Sequence, residues 1–355
     1  MSEFGLKCKN IKLSRPQFNL ELDFTVNKGE LVSIIGPSGS GKSTTLSLVS
    51  GLTLPDSGTS EINGKDVTNL APEERKTGYV FQDYALFPNM DVEQNIAYPM
   101  RHKKLSKEEH KAEIRRLLEL VNLSGYEKRN VTELTAVERQ KAALARALAS
   151  EPEILLMDDP LSNLDAKERI TIRTEIREIQ KKTGITTIYV THDQEIALSI
   201  SDKVIILRDG KIEQMGNPED IYRHPGTEFT ATFTGECNIL PYDVILRTLR
   251  VPETERSKII YQCFGPEHKL FFRPEDMVVN DMPGLPFPEF YPHLRFENAK
   301  IIRSEYLGKE YLVTAQYDEF TIKAYTVYKP ASDFITAGIR MTKILEFNNG
   351  KLTRH

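Results

Sequence analysis

Gly36-Pro37-Ser38-Gly39-Ser40-Gly41-Lys42-Ser43 is the stretch that decides how this chain reads, and Thr44 carries it into the next segment. It fits the pattern G-x-x-x-x-G-K-[ST] in full. An apolar run, Leu31–Ile35, leads into it, and the apolar, Ser/Thr-bearing segment Thr44–Val49 leads out, so the stretch is the loop of a strand–loop–helix unit. Glycines at these spacings let successive backbone N–H groups turn inward around phosphate oxygens, at the positive end of the following helix. Residues Gly36 to Gly41, with Thr44, are then the cradle. Lys42 reaches the β- and γ-phosphates, and the Ser43 hydroxyl ligates Mg²⁺. The plain alternative, a glycine-rich turn with a chance Lys-Ser, leaves the strand before it and the helix after it unexplained.

Similar strand-sized runs recur at Ile154–Met157, Thr186–Val190 and Val204–Leu207, with helical stretches between them. Strands alternating with helices indicate the α/β class and a parallel sheet. Ile154-Leu-Leu-Met-Asp158 is a buried strand ending in a carboxylate, where a group that supports Mg²⁺ from behind its direct ligands belongs. The middle of the chain, about 85–150, reads as a mainly helical insert. In it Ser106-Lys-Glu-Glu109 is a capping box, followed by Ile114, Leu117, Leu118 and Val121 on one helical face, and a second helix runs from about Thr135 to Ser150. A further helix, Ala166–Thr183, carries Ile172, Ile176 and Ile179 on one stripe and stops at Gly184. Past Thr234 the texture changes to clustered prolines between Pro274 and Pro292 and short alternating runs such as Lys300–Tyr306 and Tyr311–Tyr317. That pattern suits a small all-β barrel or sandwich. The expected domains are therefore 1–235 and 236–355.

Composition narrows the class. The 355 residues hold 47 Lys+Arg against 51 Asp+Glu, a net charge of −4, which disfavours a protein built to coat nucleic acid or an anionic membrane. No apolar run approaches the ~18–20 residues of a membrane helix. The N-terminal MSEFGLKCKN lacks the apolar core of a signal peptide. Cys8, Cys237 and Cys263 are too few and too scattered for a disulfide framework or a metal cluster. A soluble, intracellular chain is expected, with any membrane attachment supplied by a partner.

Three further elements join the phosphate loop and Asp158. Gln82 follows the strand Thr77–Phe81, Pro160-Leu-Ser-Asn-Leu-Asp165 follows the pair Asp158-Asp159, and His192 ends the strand Thr186–Val190. In this order and at these intervals they resemble the ATP-binding subunit of an ABC transporter, over about residues 1–235. The resemblance implies a P-loop NTPase core that binds ATP and Mg²⁺. It implies that Gln82 contacts Mg²⁺ and the attacking water, that Asp165 lies on a loop coupling two subunits, and that His192 grips the γ-phosphate. It also places a base at Asp159. Phe272-Arg-Pro-Glu-Asp276 and Ile302-Arg-Ser-Glu-Tyr-Leu-Gly308 look like the OB-like regulatory domain of the importer branch that serves sugars, polyamines, ferric iron, sulfate and thiamine. The partners implied are transmembrane permease subunits, a second ATP-binding subunit of the same or another chain, and indirectly an extracytoplasmic solute-binding protein, with no nucleic acid. The implied location is the cytoplasmic face of the membrane, peripherally bound. The surface around Tyr84–Tyr98 would meet the permease; Tyr84 and Phe87 read equally well as contact residues or as local core.

The chain departs from the family at three places. The family begins the 135–150 helix with Leu-Ser-Gly-Gly-Gln; here the residues are Leu134-Thr-Ala-Val-Glu138. Thr135-x-x-Glu138 is itself a capping box, but Ala136 and Val137 bring Cβ atoms where glycine lets backbone come close. Glu138 adds a negative charge to an anion site, and one such pair at ~4 Å costs roughly 4 kcal/mol at an effective dielectric near 20. Asp159 stands where the family has Glu, which withdraws the carboxylate by about a C–C bond, ~1.5 Å. The adenine-stacking aromatic has only Phe18 to replace it, and packing explains Phe18 as well. Slow ATP hydrolysis driving solute import is the expectation. An ATP-binding regulatory or dimerising subunit with little hydrolysis is the alternative. A soluble ABC ATPase of ribosomes or DNA lacks its second cassette here, and a small-molecule kinase gives no role to His192.

Overall fold

A computed structural model of the chain describes residues 3–16, 18–251, 268–280 and 293–354. Cys263 and the proline-rich stretch 281–292 lie outside the described residues. The chain divides into two compact units, Met1–Pro218 and Glu219–His355.

The first unit is built on one ten-stranded mixed sheet. Its strands are β1 (Phe4–Arg15), β2 (Phe18–Asn27), β3 (Leu31–Ile35), β4 (Ser57–Ile62), β5 (Lys65–Asp66), β6 (Thr77–Val80), β7 (Ile154–Asp158), β8 (Thr186–Val190), β9 (Lys203–Arg208) and β10 (Lys211–Gly216). The spatial order is β5-β4-β1-β2-β10-β9-β3-β8-β7-β6. Strands β9, β3, β8, β7 and β6 are mutually parallel, the α/β core expected from the alternating runs. The helices α1 (Lys42–Ser50), α2 (Val92–Ala97), α3 (Lys107–Leu120), α4 (Ala136–Ala149), α5 (Ala166–Thr183) and α6 (Gln194–Ile200) connect and cover them.

Both faces of the parallel part are buried, which explains why its strands are continuous apolar runs rather than alternating ones. On β7, Ile154 and Leu156 pack with Leu46 and Val49 of α1, whereas Leu155 and Met157 pack with α2–α6. A parallel sheet covered on both faces leaves the loops at the carboxyl ends of its strands as the place for ligands. The phosphate loop, Gln82, Asp158 and His192 all sit at those ends.

Antiparallel β1, β2, β4 and β5 extend the sheet beyond what the sequence reading anticipated. The signal was available: Leu20, Leu22, Phe24 and Val26 alternate along β2 and all are buried. Arg75 was also missed. It is 2% exposed, and its guanidinium donates to the carbonyls of Leu48 (2.8 Å), Val49 (3.1 Å), Thr68 (2.8 Å) and Leu70 (2.9 Å). It thereby closes the C-terminus of α1, where a positive charge also suits the helix dipole.

In the second unit α7 (Pro218–Arg223) and α8 (Glu228–Phe233) precede a mainly β body that also holds the short helix α9 (Val244–Thr248). Its strands are β11 (Asn238–Pro241), β12 (Leu249–Arg250), β13 (His268–Phe272), β14 (Val278–Asn280), β15 (His293–Tyr306), β16 (Tyr311–Tyr317), β17 (Phe320–Thr326), β18 (Phe334–Arg340), β19 (Leu345–Asn348) and β20 (Lys351–Arg354). They form two antiparallel sheets, β11-β13-β19-β20 and β14-β18-β15-β16-β17 with β12 on β15. The division at Pro218–Glu219 precedes the change of texture at 235 for a physical reason. Buried Arg273 donates to the carbonyls of Tyr222, Ala231, Gly235 and Glu236, tying residues 222–236 to the β body.

Arg75→Met should destabilise the first unit by at least ~3 kcal/mol, because each buried carbonyl left without a donor costs about 1–3 kcal/mol. Urea unfolding of the whole chain checks this; an unchanged midpoint would mean the guanidinium adds nothing.

Candidate nucleotide site

Each of α2 to α6 starts with a side chain that accepts a first-turn N–H: Asp91, Ser106, Thr135, Asp165 and Asp193. Helix α1 does not. Its N-cap is Gly41, with φ +105° and no side-chain cap. First-turn amides left uncapped at a positive helix end are suited to an anion. A Cβ at Gly36 would overlap the carbonyl oxygen of Leu207 and one at Gly41 would lie 2.7 Å from Phe18 Cζ, so neither glycine is replaceable without moving the loop. Ser40 Oγ is buried without a hydrogen-bond partner, a polar atom aimed at nothing within the protein. These features fit a phosphate group. Phe18, Gly39, Gly41, Lys42, Ser43 and Thr44 together line a cavity of about 450 Å³.

Lys42 Nζ donates to the carbonyls of Gly36 and Pro37, both at 2.9 Å, and lies curled across the loop. Burial draws its pKa below the ordinary lysine value, against the opposing charges of Asp159 and Asp158. Ser43, in the first turn of α1, donates to Asp158 Oδ1 at 3.0 Å, and the Tyr79 hydroxyl donates to Oδ2 at 3.3 Å. Burial pushes the Asp158 carboxyl above its ordinary value, and those two donors hold it back. A serine hydroxyl beside a carboxylate is a set of hard oxygen donors suited to Mg²⁺.

Asp159 is one of the non-glycine residues with positive φ, at +45°. Asp tolerates that left-handed region better than most side chains. Its two oxygens point at different partners: Thr191 Oγ1 donates to Oδ1 at 3.0 Å, and His192 Nδ1 lies 2.6 Å from Oδ2. The His192 ring is 61% exposed, open to a ligand on its far side. Gln82 is exposed after β6, and its carbonyl accepts from Asn163 Nδ2 at 2.9 Å. Asp165 serves as the N-cap of α5, in a capping box with Glu168. Tyr84 is 3% exposed and belongs to the core beneath α4, which decides between its two readings; Phe87 is half-buried against Tyr98.

At the start of α4 the capping box read from the sequence is present. Thr135 N donates to Glu138 Oε2 at 2.7 Å, and Glu138 N donates to Thr135 Oγ1 at 3.2 Å. The backbone N–H of Thr135 holds the Glu138 carboxyl below its ordinary value, with the Tyr126 hydroxyl adding to it. Ala136 and Val137 pack partly against the helical core. The Glu138 charge is therefore drawn back onto its own helix cap.

The ABC transporter family model matches residues 20–162, a span holding the phosphate loop, Gln82, the 134–138 segment, Asp158 and Asp159. Over 266 residues the chain is 42% identical to the Fe(3+) ions import ATP-binding protein FbpC of Fusobacterium nucleatum, covering 74% of this chain and 71% of the relative. It is 41% identical over 293 residues to the sulfate/thiosulfate import ATP-binding protein CysA of Synechococcus elongatus, covering 82% and 78%. The chain belongs to the ABC transporter family, as an ATP-binding subunit. Solved structures agree with that membership. The ABC subunit matches cbiO1 from Clostridium perfringens, part of the cbiONQ transporter complex, with a TM-score of 0.58 and 25% identity over 62% of this chain and 91% of that one. It matches a dimeric ATP-binding cassette in a post-hydrolysis state with ADP and Pi at a TM-score of 0.52 and 30% identity, over 60% and 98%.

Asp158 sets a testable pH dependence. Its folded-state pKa is raised above 3.8, so its contribution to stability is complete below that value and is lost as pH rises through the raised one. In the neutral range the ionised carboxyl thus weakens the unliganded fold. Asp158→Asn should melt no lower than the parent without nucleotide at pH 7. A lower melting temperature would mean that the ionised carboxyl does not weaken the unliganded fold.

Proposed function

We propose that this ABC subunit hydrolyses ATP to drive solute import through a membrane permease, with slow intrinsic turnover. The observation that carries the proposal is the meeting of an uncapped helix end, Lys42, the Ser43–Asp158 pair and the Asp159–His192 pair at one edge of the sheet. The Gly36–Gly41 turn and Thr44 hold the phosphates, and Lys42 leaves the loop carbonyls for the β- and γ-oxygens. Ser43, Asp158 and Gln82 hold Mg²⁺, which neutralises charge on the phosphates when bound. His192 grips the γ-phosphate, and Asp159 orients the attacking water. Phe18 stacks on adenine at the wall of the same cavity.

Two features support slow turnover. A base must come within about 2.6–3.2 Å of the proton it takes. The short Asp159 side chain already has one oxygen on Thr191 and the other on His192. At the start of α4, Thr135 and Glu138 satisfy each other, leaving little to offer a phosphate held by the opposite subunit. The same two features favour the second reading, an ATP-binding regulatory or dimerising subunit with little hydrolysis. Among the described residues no helix is long and apolar enough to cross a membrane. The permease then holds the chain at the cytoplasmic face, together with a second ATP-binding subunit, and an extracytoplasmic solute-binding protein delivers the solute. Relatives of near-equal identity are named for ferric iron and for sulfate, so the cassette itself does not select the solute.

Mg-ATP turnover by the purified chain, with ATP affinity measured on the same sample, tests the proposal. Turnover abolished by Lys42→Ala supports the motor; tight binding with no turnover, even with the permease present, supports the regulatory reading. Changing Asp159→Glu together with Thr135→Ser, Ala136→Gly, Val137→Gly and Glu138→Gln should raise the rate by about an order of magnitude or more. No increase would remove both departures as the cause of slow turnover. Phe18→Ala should weaken ATP binding by roughly 1–3 kcal/mol, the worth of a base–aromatic stack, and equal affinity would return Phe18 to simple packing.

A further inference from the structure

The loop after β6 holds two successive non-glycine residues in the left-handed region, Tyr84 at φ +67° and Ala85 at φ +47°. Side chains disfavour that region, and such a pair persists only when its surroundings over-determine it. The surroundings here are specific. Arg146 Nη2 donates to the Tyr84 carbonyl at 2.9 Å, and Arg146 Nη1 donates to the Ala85 carbonyl at 2.7 Å. Two residues upstream, Asn163 Nδ2 donates to the Gln82 carbonyl at 2.9 Å. The turn is closed within itself by Tyr84 N donating to Phe81 O at 2.9 Å, and fixed downstream by Phe87 N donating to Asn95 Oδ1 at 2.9 Å.

The two clamping side chains come from different elements. Arg146 lies in the last turn of α4, the helix whose first turn is the altered 135–138 segment, and Asn163 lies in the loop after Asp158 and Asp159. Arg146 makes a fork of two parallel donors that a point-charge ammonium does not reproduce. Its guanidinium also lies 5.4 Å from the centre of the Phe87 ring. A helix is stiff over three turns, so a displacement at the start of α4 arrives at Arg146 and hence at the Tyr84–Ala85 carbonyls.

We infer that Arg146 and Asn163 are positioning residues for Gln82: they hold the carbonyls of the Gln82–Ala85 turn, so α4 and the Asp158–Asp159 loop jointly set where Gln82 stands. The inference rests on the proposed role of Gln82 toward Mg²⁺ and the attacking water. It turns the loop from a passive connection into a latch. Loss of the Arg146 fork frees the strained pair and loss of Asn163 frees the Gln82 carbonyl; in either case Gln82 loses its place while the phosphate loop keeps its own.

The test uses the full chain with Arg146→Lys, Asn163→Ala, Ala85→Gly, Gln82→Ala and the double variant Arg146→Lys/Ala85→Gly. Amide hydrogen exchange across residues 82–87 and the Mg²⁺ dependence of ATP turnover are measured on each. Arg146→Lys and Asn163→Ala should speed exchange tenfold or more and raise the Mg²⁺ needed for half-maximal turnover several-fold, with ATP affinity within twofold of the parent. Ala85→Gly should return exchange in the Arg146→Lys background to within about threefold of the parent, since glycine adopts positive φ without help. That rescue separates a latch from general destabilisation. Unchanged exchange in both single variants, or no rescue by Ala85→Gly, overturns the latch. Should Arg146→Lys fail to fold, Asn163→Ala on its exposed loop decides the same point by its exchange rate. If Gln82→Ala leaves the Mg²⁺ dependence at the parent value, the role of Gln82 falls and the coupling to turnover falls with it, whereas exchange still decides the clamp. If Gln82→Ala shifts that dependence and neither clamp variant does, the positioning role is overturned and Gln82 stands.

Discussion

The hydrogen bond from Ser43 to Asp158 is the point on which the constraints of the first unit's strand ends converge. A half-buried carboxylate at the end of a strand is disfavoured unless donors meet it, and here Ser43 and Tyr79 do so. Ser43 reaches it only because α1 begins at Lys42, and α1 begins there because Gly41 takes a left-handed turn. The loop can approach β9 as closely as it does because Gly36 has no Cβ to meet Leu207 O. Leu207 in turn lies on β9, the parallel neighbour of β3, from which the loop springs. Three parallel strands buried on both faces thus locate one hydroxyl against one carboxylate. The same carboxylate disfavours the unliganded fold at neutral pH, the usual conflict between a binding group's task and its stability.

How legible was this in the sequence? The elements with strong local signals were readable to the residue: Leu31–Ile35, Ala166–Thr183 and Thr186–Val190 stand as read, and the boxes at Ser106 and Thr135 cap their helices. Their evidence is local, in periodicity and in side chains three residues apart. The tasks of Arg75, Arg146, Arg273 and Asn163 were not legible, although Arg273 and Asn163 stand inside motifs that carry the resemblance. Each acts by donating to backbone carbonyls that lie far away along the chain, and a carbonyl carries no residue identity that a sequence can display. The strain at Tyr84, Ala85 and Asp159 was hidden for a related reason. Positive φ at a non-glycine residue is imposed by tertiary contacts, against local preference. Tyr84 shows the consequence. Its aromatic ring reads as a contact residue or as core with equal ease, and only the packing under α4 decides.

The starts of α1 and α4 are two answers to one constraint. A helix exposes four N–H groups at its N-terminus, and these can be capped by the protein or kept for a ligand, but not both at once. Helix α1 leaves them uncapped at Gly41 and accepts a slightly weaker start; a serine, threonine or aspartate cap contributes a few tenths of a kcal/mol more than glycine. Helix α4 takes the opposite course. Thr135 and Glu138 close on each other, Tyr126 joins them, and Arg139 Nη1 donates back to Leu134 O at 2.7 Å, so the segment is satisfied within its own chain. To present this end to a phosphate, the Thr135–Glu138 pair has to open, and the Glu138 charge has to leave the cap that attracts it. The stability gained at the start of α4 is therefore set against phosphate binding at that same end. Both helices pack on the same sheet, and the difference at their N-termini is chemical. The loop before α1 places glycine and a lone lysine where the loop before α4 places a threonine and a returning carboxylate.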